Sequence, residues 1–116
     1  MTLTVCPEHE LAPGEMRTVV ADGTPVVVVR TEAGELHAVR GWCAHQGAML
    51  GAGRLTWLTS SSEPGTYDLS RAAEILRCPW HGYEYDVATG RCLTSPRLRL
   101  RTYPVRVEDG NVVLDV

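Results

Sequence analysis

Two short stretches of the sequence repeat the same residue types: Cys43-Ala-His-Gln-Gly47 and Cys78-Pro-Trp-His-Gly82. Each supplies one thiol, one imidazole and a glycine that follows them. The spacing is Cys-x-His in the first and Cys-x-x-His in the second, and 32 residues separate His45 from Cys78. Two thiols and two imidazoles make a complete set of four metal ligands. The sequence therefore predicts a metal centre held by Cys43, His45, Cys78 and His81.

The residues around these ligands favour two ligand-bearing loops. In an extended stretch, residues i and i+2 point the same way, so Cys43 and His45 can reach one site together. Pro79 has a fixed φ and no N–H, which favours a turn that presents the ligands on either side of it. A glycine behind each pair leaves room for close backbone approach.

Two kinds of metal centre fit this ligand set. One is a mononuclear zinc site of the Cys₂His₂ type. Zinc modules usually pair like ligands, C-x-x-C with H-x₃₋₅-H, whereas each pair here is mixed. A mixed pair suits a binuclear centre, in which both thiols bind one metal and both imidazoles bind the other.

Length and composition indicate one compact domain without nucleic-acid or membrane partners. The chain has 116 residues and a formal net charge of −3, and all 11 of its basic residues are arginine. Nucleic-acid binding normally needs a basic domain. The N-terminus lacks a secretory pattern, and the longest aliphatic run, Val26–Val29, is too short to span a bilayer. We expect a soluble, cytoplasmic protein, in which cysteines are more often thiols or metal ligands than disulfides.

Short runs of β-branched residues between turn residues predict an all-β sandwich or barrel. Segments 16–21 and 24–31 flank Asp22-Gly23, a dipeptide that favours a tight hairpin. Further strands are predicted at 35–40, 74–77, 83–86, 98–107 and 112–116. Within Arg97–Arg101, arginine and leucine alternate, which places arginine on one face of a strand that is solvated or contacts a partner.

Residues 57–73 interrupt this pattern. They contain Thr-Ser-Ser-Ser-Glu-Pro-Gly and then Ser-Arg-Ala-Ala, which precedes Glu74. Serine, proline and glycine are typical of surface loops. We predict a loop extension here, with a single helical turn at Ser70–Glu74 for which Ser70 is the N-cap.

At this point the sequence resembles the Rieske family, and the resemblance covers nearly the full chain. The matching residues are Cys43-Ala-His-Gln-Gly-Ala-Met-Leu50, Cys78-Pro-Trp-His-Gly-Tyr-Glu-Tyr-Asp86, Thr89-Gly90 and Tyr103-Pro-Val-Arg-Val-Glu-Asp-Gly110. The resemblance implies a single domain over residues 1–116. Its base is expected to be an antiparallel β-sandwich or barrel, with a cluster-binding subdomain inserted at about 41–88 and the loop extension at about 57–73.

The resemblance also implies one [2Fe–2S] cluster per chain. Cys43 and Cys78 would bind the inner iron, and His45 and His81 would bind the outer one. Two ferric ions, two sulfides and two thiolates sum to zero charge, whereas four thiolates would leave a dianion. Because an electron adds more easily to a neutral site, histidine ligation raises the reduction potential.

Departures from the family pattern indicate the subtype. Ala48 and Trp80 stand where Rieske proteins of respiratory complexes have a disulfide, so packing by Trp80 and Leu50 must hold the loops instead. Tyr83 replaces a serine of high-potential members, and Tyr85 matches a tyrosine that hydrogen-bonds a ligand sulfur. The expected type is a soluble oxygenase ferredoxin of low to middle potential.

The implied function is one-electron transfer from a flavin reductase to a terminal oxygenase. An oxygenase also needs a 2-His-1-carboxylate iron site. Only His9 and His37 remain for it, so we expect an electron-transfer component and not an enzyme. Cys6 and Cys92 lie outside both motifs and are expected to be buried thiols. The alternatives are a small Rieske-like subunit of a larger reductase, such as nitrite reductase, and a redox-sensing module.

Overall fold

The computed structural model describes residues 1–44, 47–60, 68–79 and 82–116, and for 57–60 and 68–73 it describes the backbone alone. These residues form ten strands and two short 3₁₀ turns, at Glu8–Glu10 and Leu50–Ala52. The strands are β1 (Thr2–Pro7), β2 (Met16–Ala21), β3 (Thr24–Arg30), β4 (Leu36–Arg40), β5 (Arg54–Ser60), β6 (Asp68–Arg77), β7 (Glu84–Asp86), β8 (Thr102–Tyr103), β9 (Val105–Glu108) and β10 (Asn111–Asp115). The predicted all-β fold is confirmed.

The strands form three antiparallel sheets. Their orders are β1-β10-β9, β2-β3-β4-β8 and β5-β6-β7. The first two sheets both contribute residues to one apolar core, and the second and third both contribute residues to another. The four-stranded sheet is therefore the layer that both cores share.

Strand β3 is buried on both faces. Val26, Val27, Val28 and Val29 are all fully buried. Since successive side chains alternate across a strand, Val26 and Val28 pack in the core beneath β1 and β10. Val27 and Val29 pack in the core that contains both motif cysteines. This two-sided burial explains an apolar run without alternation.

The predicted hairpin at Asp22-Gly23 is confirmed. Met16 pairs with Val29 at the open end and Ala21 with Thr24 at the turn. Asp22 and Gly23 have φ values of 50° and 80°. Two consecutive positive φ angles are the requirement of a type I′ turn, which matches the twist of the flanking strands.

Two features of the base differ from the sequence-based expectation. Strand β1 was not predicted, although the Thr-Leu-Thr-Val sequence suits a strand; it pairs with β10 along the sheet edge. Arg97–Arg101 is not a regular strand; it forms an isolated bridge between Arg91 and Arg99, and the Arg101 carbonyl accepts from the Arg40 N–H at 2.9 Å. The alternation still predicted the faces, because Leu100 is buried while its arginine neighbours are exposed.

The extension contains two paired strands in place of a predominantly irregular loop. Strands β5 and β6 pair antiparallel from Arg54 opposite Arg77 to Ser60 opposite Asp68. The helical turn predicted at Ser70–Glu74 is wrong, because these residues belong to β6. Strand β6 lies between β5 and β7, and this pairing overrides the local helix propensity of Ser-Arg-Ala-Ala. Residues 61–67 of the predicted loop lie outside the described residues.

In the part of the chain that the structure describes, no helix has the length and apolar character required to cross a bilayer.

We predict that Val26→Ala lowers the free energy of unfolding by about 2 kcal/mol, because it removes two methyl groups from a site without solvent access. Val20 lies on the neighbouring strand and is 68% exposed. Val20→Ala should change stability by less than about 0.5 kcal/mol. Urea titration followed by far-UV circular dichroism measures both. Equal losses in the two variants would contradict the two-sided burial of β3.

Candidate metal centre

In the first cysteine loop, residues 41–50, the described arms 41–43 and 48–50 pair with each other. The Leu50 N–H donates to the Gly41 carbonyl at 2.8 Å. Trp42 and Met49 form an antiparallel bridge inside that pair. The Cys43 N–H then donates to the carbonyl of residue 48 at 2.8 Å. These hydrogen bonds fix the Cys43 backbone between two paired arms of the loop.

The second cysteine loop, residues 78–83, joins β6 to β7. Its Cys78 N–H donates to the Tyr83 carbonyl at 2.7 Å. Both loops therefore close in the same way, with the cysteine N–H bonded to the carbonyl five residues later. The repeated sequence motif corresponds to a repeated local structure.

A left-handed glycine precedes the accepting carbonyl in each loop. Gly47 has a φ of 73° and Gly82 a φ of 68°. Residues with a Cβ rarely adopt this region. The glycine at the same place in both motifs is therefore required by the turn that brings the chain back to its cysteine.

The two thiols share one apolar core. Cys43 is 4% exposed and Cys78 is 2% exposed, and both belong to the core that includes Leu50 and Leu76. None of the four cysteines forms a disulfide. Ala48, at a position that carries a cysteine in the disulfide-bearing type, is buried in the same core. The predicted packing role of Leu50 is confirmed, whereas Trp80 lies outside the described residues.

Tyr85 connects the two motifs. Its side chain is fully buried, and its Oη lies 3.1 Å from the Cys43 Sγ. The Ala44 N–H donates to the same Oη at 3.1 Å. Because that N–H occupies an acceptor position of the oxygen, the hydroxyl proton is available for the sulfur. The expected contact between Tyr85 and a motif sulfur is present.

Burial raises the pKa of Tyr85 well above its usual value, and the hydrogen bond with Cys43 raises it further. The phenol therefore keeps its proton over the whole physiological range. A metal-bound cysteine is a thiolate, which accepts hydrogen bonds and has none to donate. With such a thiolate at position 43, Tyr85 is the donor.

The remaining histidines and cysteines of the sequence do not share one location. His45 and His81, the two imidazole ligands predicted from the sequence, lie outside the described residues. His9 is in the first 3₁₀ turn and His37 is in β4, so neither belongs to a cysteine loop. Cys6 lies in the other core. Cys92 lies in the same core as the motif thiols, and its backbone forms an isolated β-bridge with that of Tyr85.

The described donors fit an iron–sulfur centre. Cysteine thiolates are the usual ligands of such clusters, and hydrogen bonds to their sulfurs tune the potential. Here two buried thiols come from two loops with the same closing hydrogen bond, and one of the thiols has a protonated phenol at hydrogen-bonding distance. Each loop also contains an imidazole in its sequence, two residues after Cys43 and three after Cys78.

Comparison with known protein families gives the same assignment. Residues 1–104 match the Rieske [2Fe-2S] domain. The chain belongs to the Rieske [2Fe-2S] family. A Rieske [2Fe-2S] domain holds one such cluster. The predicted family and cofactor are thereby confirmed.

Two curated relatives are named as ferredoxins of dioxygenase systems. The chain is 28% identical over 109 residues to the ferredoxin component of the naphthalene 1,2-dioxygenase system of Pseudomonas aeruginosa, covering 93% of this chain and 88% of that protein. It is 29% identical over 112 residues to the 3-phenylpropionate/cinnamic acid dioxygenase ferredoxin subunit of Escherichia coli K12, covering 96% and 90%. The predicted Rieske ferredoxin function agrees with both names.

Two solved structures share the fold. A chain in the complex of reduced oxygenase and oxidised ferredoxin of carbazole 1,9a-dioxygenase has a TM-score of 0.76 and 26% identity, covering 97% of this chain and 91% of that one. A protein described as an NADH-dependent nitrite reductase small subunit from Mycobacterium tuberculosis has a TM-score of 0.76 and 25% identity, covering 98% and 93%.

We predict that Tyr85→Phe lowers the midpoint potential by about 60 mV, which for one electron is a tenfold change in the redox equilibrium. A hydrogen bond to sulfur stabilises the more negative, reduced state more than the oxidised one. Tyr103→Phe is the matched control, because Tyr103 stacks with Arg101 outside this core. Redox titration followed by electron paramagnetic resonance measures both. An unchanged midpoint in Tyr85→Phe would show that the hydroxyl does not act on the centre.

Proposed function

We propose that this Rieske protein is a cytoplasmic ferredoxin in which Cys43 and Cys78 bind one iron and His45 and His81 bind the other. The observation that carries the proposal is that two buried thiols lie in one core. Each thiol comes from a loop whose sequence also contains a histidine. When bound, the cluster takes up and releases one electron at a time. Both loops belong to a cluster-binding subdomain at about 41–88 within a single domain of residues 1–116.

The chain's own residues fix the backbone at both cysteines and exclude water from the two thiols. The hydrogen bonds at Cys43 and Cys78 fix the backbone that carries each sulfur. Burial in a core with Leu50 and Leu76 excludes water from the thiol side of the site. The raised pKa keeps the Tyr85 hydroxyl protonated, so that Tyr85 can donate a hydrogen bond to the Cys43 sulfur. A site that reorganises little between redox states suits fast electron transfer.

A flavin reductase is the electron donor in this proposal, and a terminal oxygenase is the acceptor. The names of two relatives support it, because each is the ferredoxin of a dioxygenase system. The complex of oxygenase and ferredoxin in carbazole 1,9a-dioxygenase supports direct contact with the acceptor. The chain itself serves as an electron-transfer component, without a catalytic iron site of its own.

A second candidate is the small subunit of a reductase. The likeness to the nitrite reductase small subunit of Mycobacterium tuberculosis favours it. The names of the two dioxygenase ferredoxins favour the ferredoxin. Native purification separates the two: a ferredoxin elutes at the size expected from its own 12.7 kDa, alone or self-associated. A reductase subunit elutes in fixed ratio with a larger catalytic chain.

We predict that Cys43→Ser and Cys78→Ser each remove the cluster, because serine oxygen is a poor replacement for a thiolate at an iron–sulfur site. Cys92→Ser is the matched control, since Cys92 is equally buried in the same core. Anaerobic purification with iron and acid-labile sulfide analysis, and electron paramagnetic resonance of the reduced protein, measures the outcome. Cluster loss in Cys92→Ser with retention in Cys43→Ser would refute the ligand assignment.

We predict a midpoint potential that is constant near neutral pH and falls in alkali by about 60 mV per pH unit. The N–H of a histidine that ligates iron is more acidic when that iron is ferric, so reduction takes up a proton at high pH. Protein-film voltammetry across pH measures this profile. A potential that is constant through the alkaline range would count against His45 and His81 as ligands.

A further inference from the structure

The charge of the chain is distributed unevenly along its sequence. Residues 36–104, which contain both cysteine loops, hold eight arginines and five acidic residues. The flanking segments, 1–35 and 105–116, hold three arginines and nine acidic residues. The net charge of −3 therefore combines an acidic base with a basic region around the metal centre.

Two pairs of arginines lie opposite each other in that region, one in a strand ladder and one in an isolated bridge. Arg54 is the register partner of Arg77 in the β5–β6 ladder, and Arg91 is the partner of Arg99 in an isolated bridge. All four are exposed, and none forms an ion pair with a carboxylate among the residues described. Like charges directly opposite each other destabilise a sheet. An arrangement that costs stability twice in one region indicates a functional demand for positive charge.

The first pair borders the second cysteine loop. Arg54, Arg77, Cys78 and Gly82 line a depression of about 290 Å³. A Cβ at position 82 would lie 2.8 Å from the Arg77 Nη2. The guanidinium of Arg77 therefore lies directly against the loop that carries Cys78.

A second depression borders the first cysteine loop. Its volume is about 360 Å³, and Arg40, Arg99 and Arg101 line it together with Cys43. Each motif thiol thus has a concave, arginine-lined surface beside it. Met49, in the loop of Cys43, is 47% exposed and supplies apolar area next to these charges.

We infer that these arginines form the docking surface for redox partners, and that the partner surface is rich in carboxylates. The inference rests on the proposed function, since a docking surface for electron transfer requires the cluster. Guanidinium groups bind carboxylates in two parallel hydrogen bonds, which orients the partner as well as attracting it. The acidic segments on the other side of the charge distribution repel the same partner. The uneven charge therefore turns the metal centre towards the partner.

A charged electrode tests this orientation without an identified partner. The probe is gold coated with a carboxylate-terminated alkanethiol monolayer, and the comparison surface carries an amine-terminated monolayer. The cluster-loaded protein should exchange electrons at least about tenfold faster at the carboxylate surface at low ionic strength. Added salt should reduce this advantage, because the Debye length shortens. Equal rates at the two surfaces would overturn the inference.

Charge-neutralising variants assign the effect to named residues. The double variant Arg54→Gln/Arg77→Gln should lower the rate at the carboxylate surface about tenfold. The matched control is Arg17→Gln/Arg106→Gln, which changes net charge equally at exposed or half-buried positions of the base. The control should keep the wild-type rate. An equal fall in both variants would show that only net charge matters and would overturn the inference.

Two further readouts separate the remaining outcomes. Electron paramagnetic resonance of each reduced variant in solution reports the cluster; its absence in the wild type would overturn the proposed function and this inference together. A normal signal with no preference for the carboxylate surface would overturn this inference alone. Inorganic phosphate is then compared with chloride at constant ionic strength. Selective inhibition by phosphate would assign the arginines to a small anion and would also overturn docking.

Discussion

Each cysteine loop is closed by a hydrogen bond from the cysteine N–H to the carbonyl five residues later, at 2.8 Å for Cys43 and 2.7 Å for Cys78. The placement of both sulfurs depends on this closure. It requires a left-handed residue just before the accepting carbonyl, and glycine fills that place in both loops. The chain thereby forms one local structure twice, and the two copies contribute thiols to one core. In a protein without a disulfide between the loops, this closure and the packing of Leu50 hold the site.

The four-stranded sheet packs against the core that contains the thiols. Strand β3 is buried on both faces, and its valines alternate between the core of the base and the core of the thiols. Tyr85 extends from β7 to the opposite loop, where its hydroxyl meets the Cys43 sulfur. The tyrosine therefore joins the two loops physically and acts on the charge of the sulfur. Because the same side chain packs between the loops and hydrogen-bonds the sulfur, a change in packing at Tyr85 would also change the reduction potential.

The sequence predicts the contact between Tyr85 and a motif sulfur better than it predicts the surrounding sheet. Both motif cysteines, the glycines that follow them and Tyr85 lie within two short motifs, so local spacing is informative. The Ser70–Glu74 segment shows the opposite case, because its helical composition is overridden by pairing with strands that are distant in sequence. Strand β1 also depends on pairing with a strand that is distant in sequence, because its partner is β10 at the other end of the chain. The arginine pairs were missed for a related reason: the Arg54 and Arg77 partnership is a matter of register, which composition does not encode.

We propose that two sulfur and two nitrogen donors share one binuclear iron–sulfur centre. Pulsed electron paramagnetic resonance of the reduced protein, grown with ¹⁵N-labelled histidine, tests this ligand set most directly. We expect couplings from two imidazole nitrogens that convert to the ¹⁵N pattern on labelling. A paramagnetic cluster without histidine couplings, or a colourless protein that holds a single zinc ion, would contradict it.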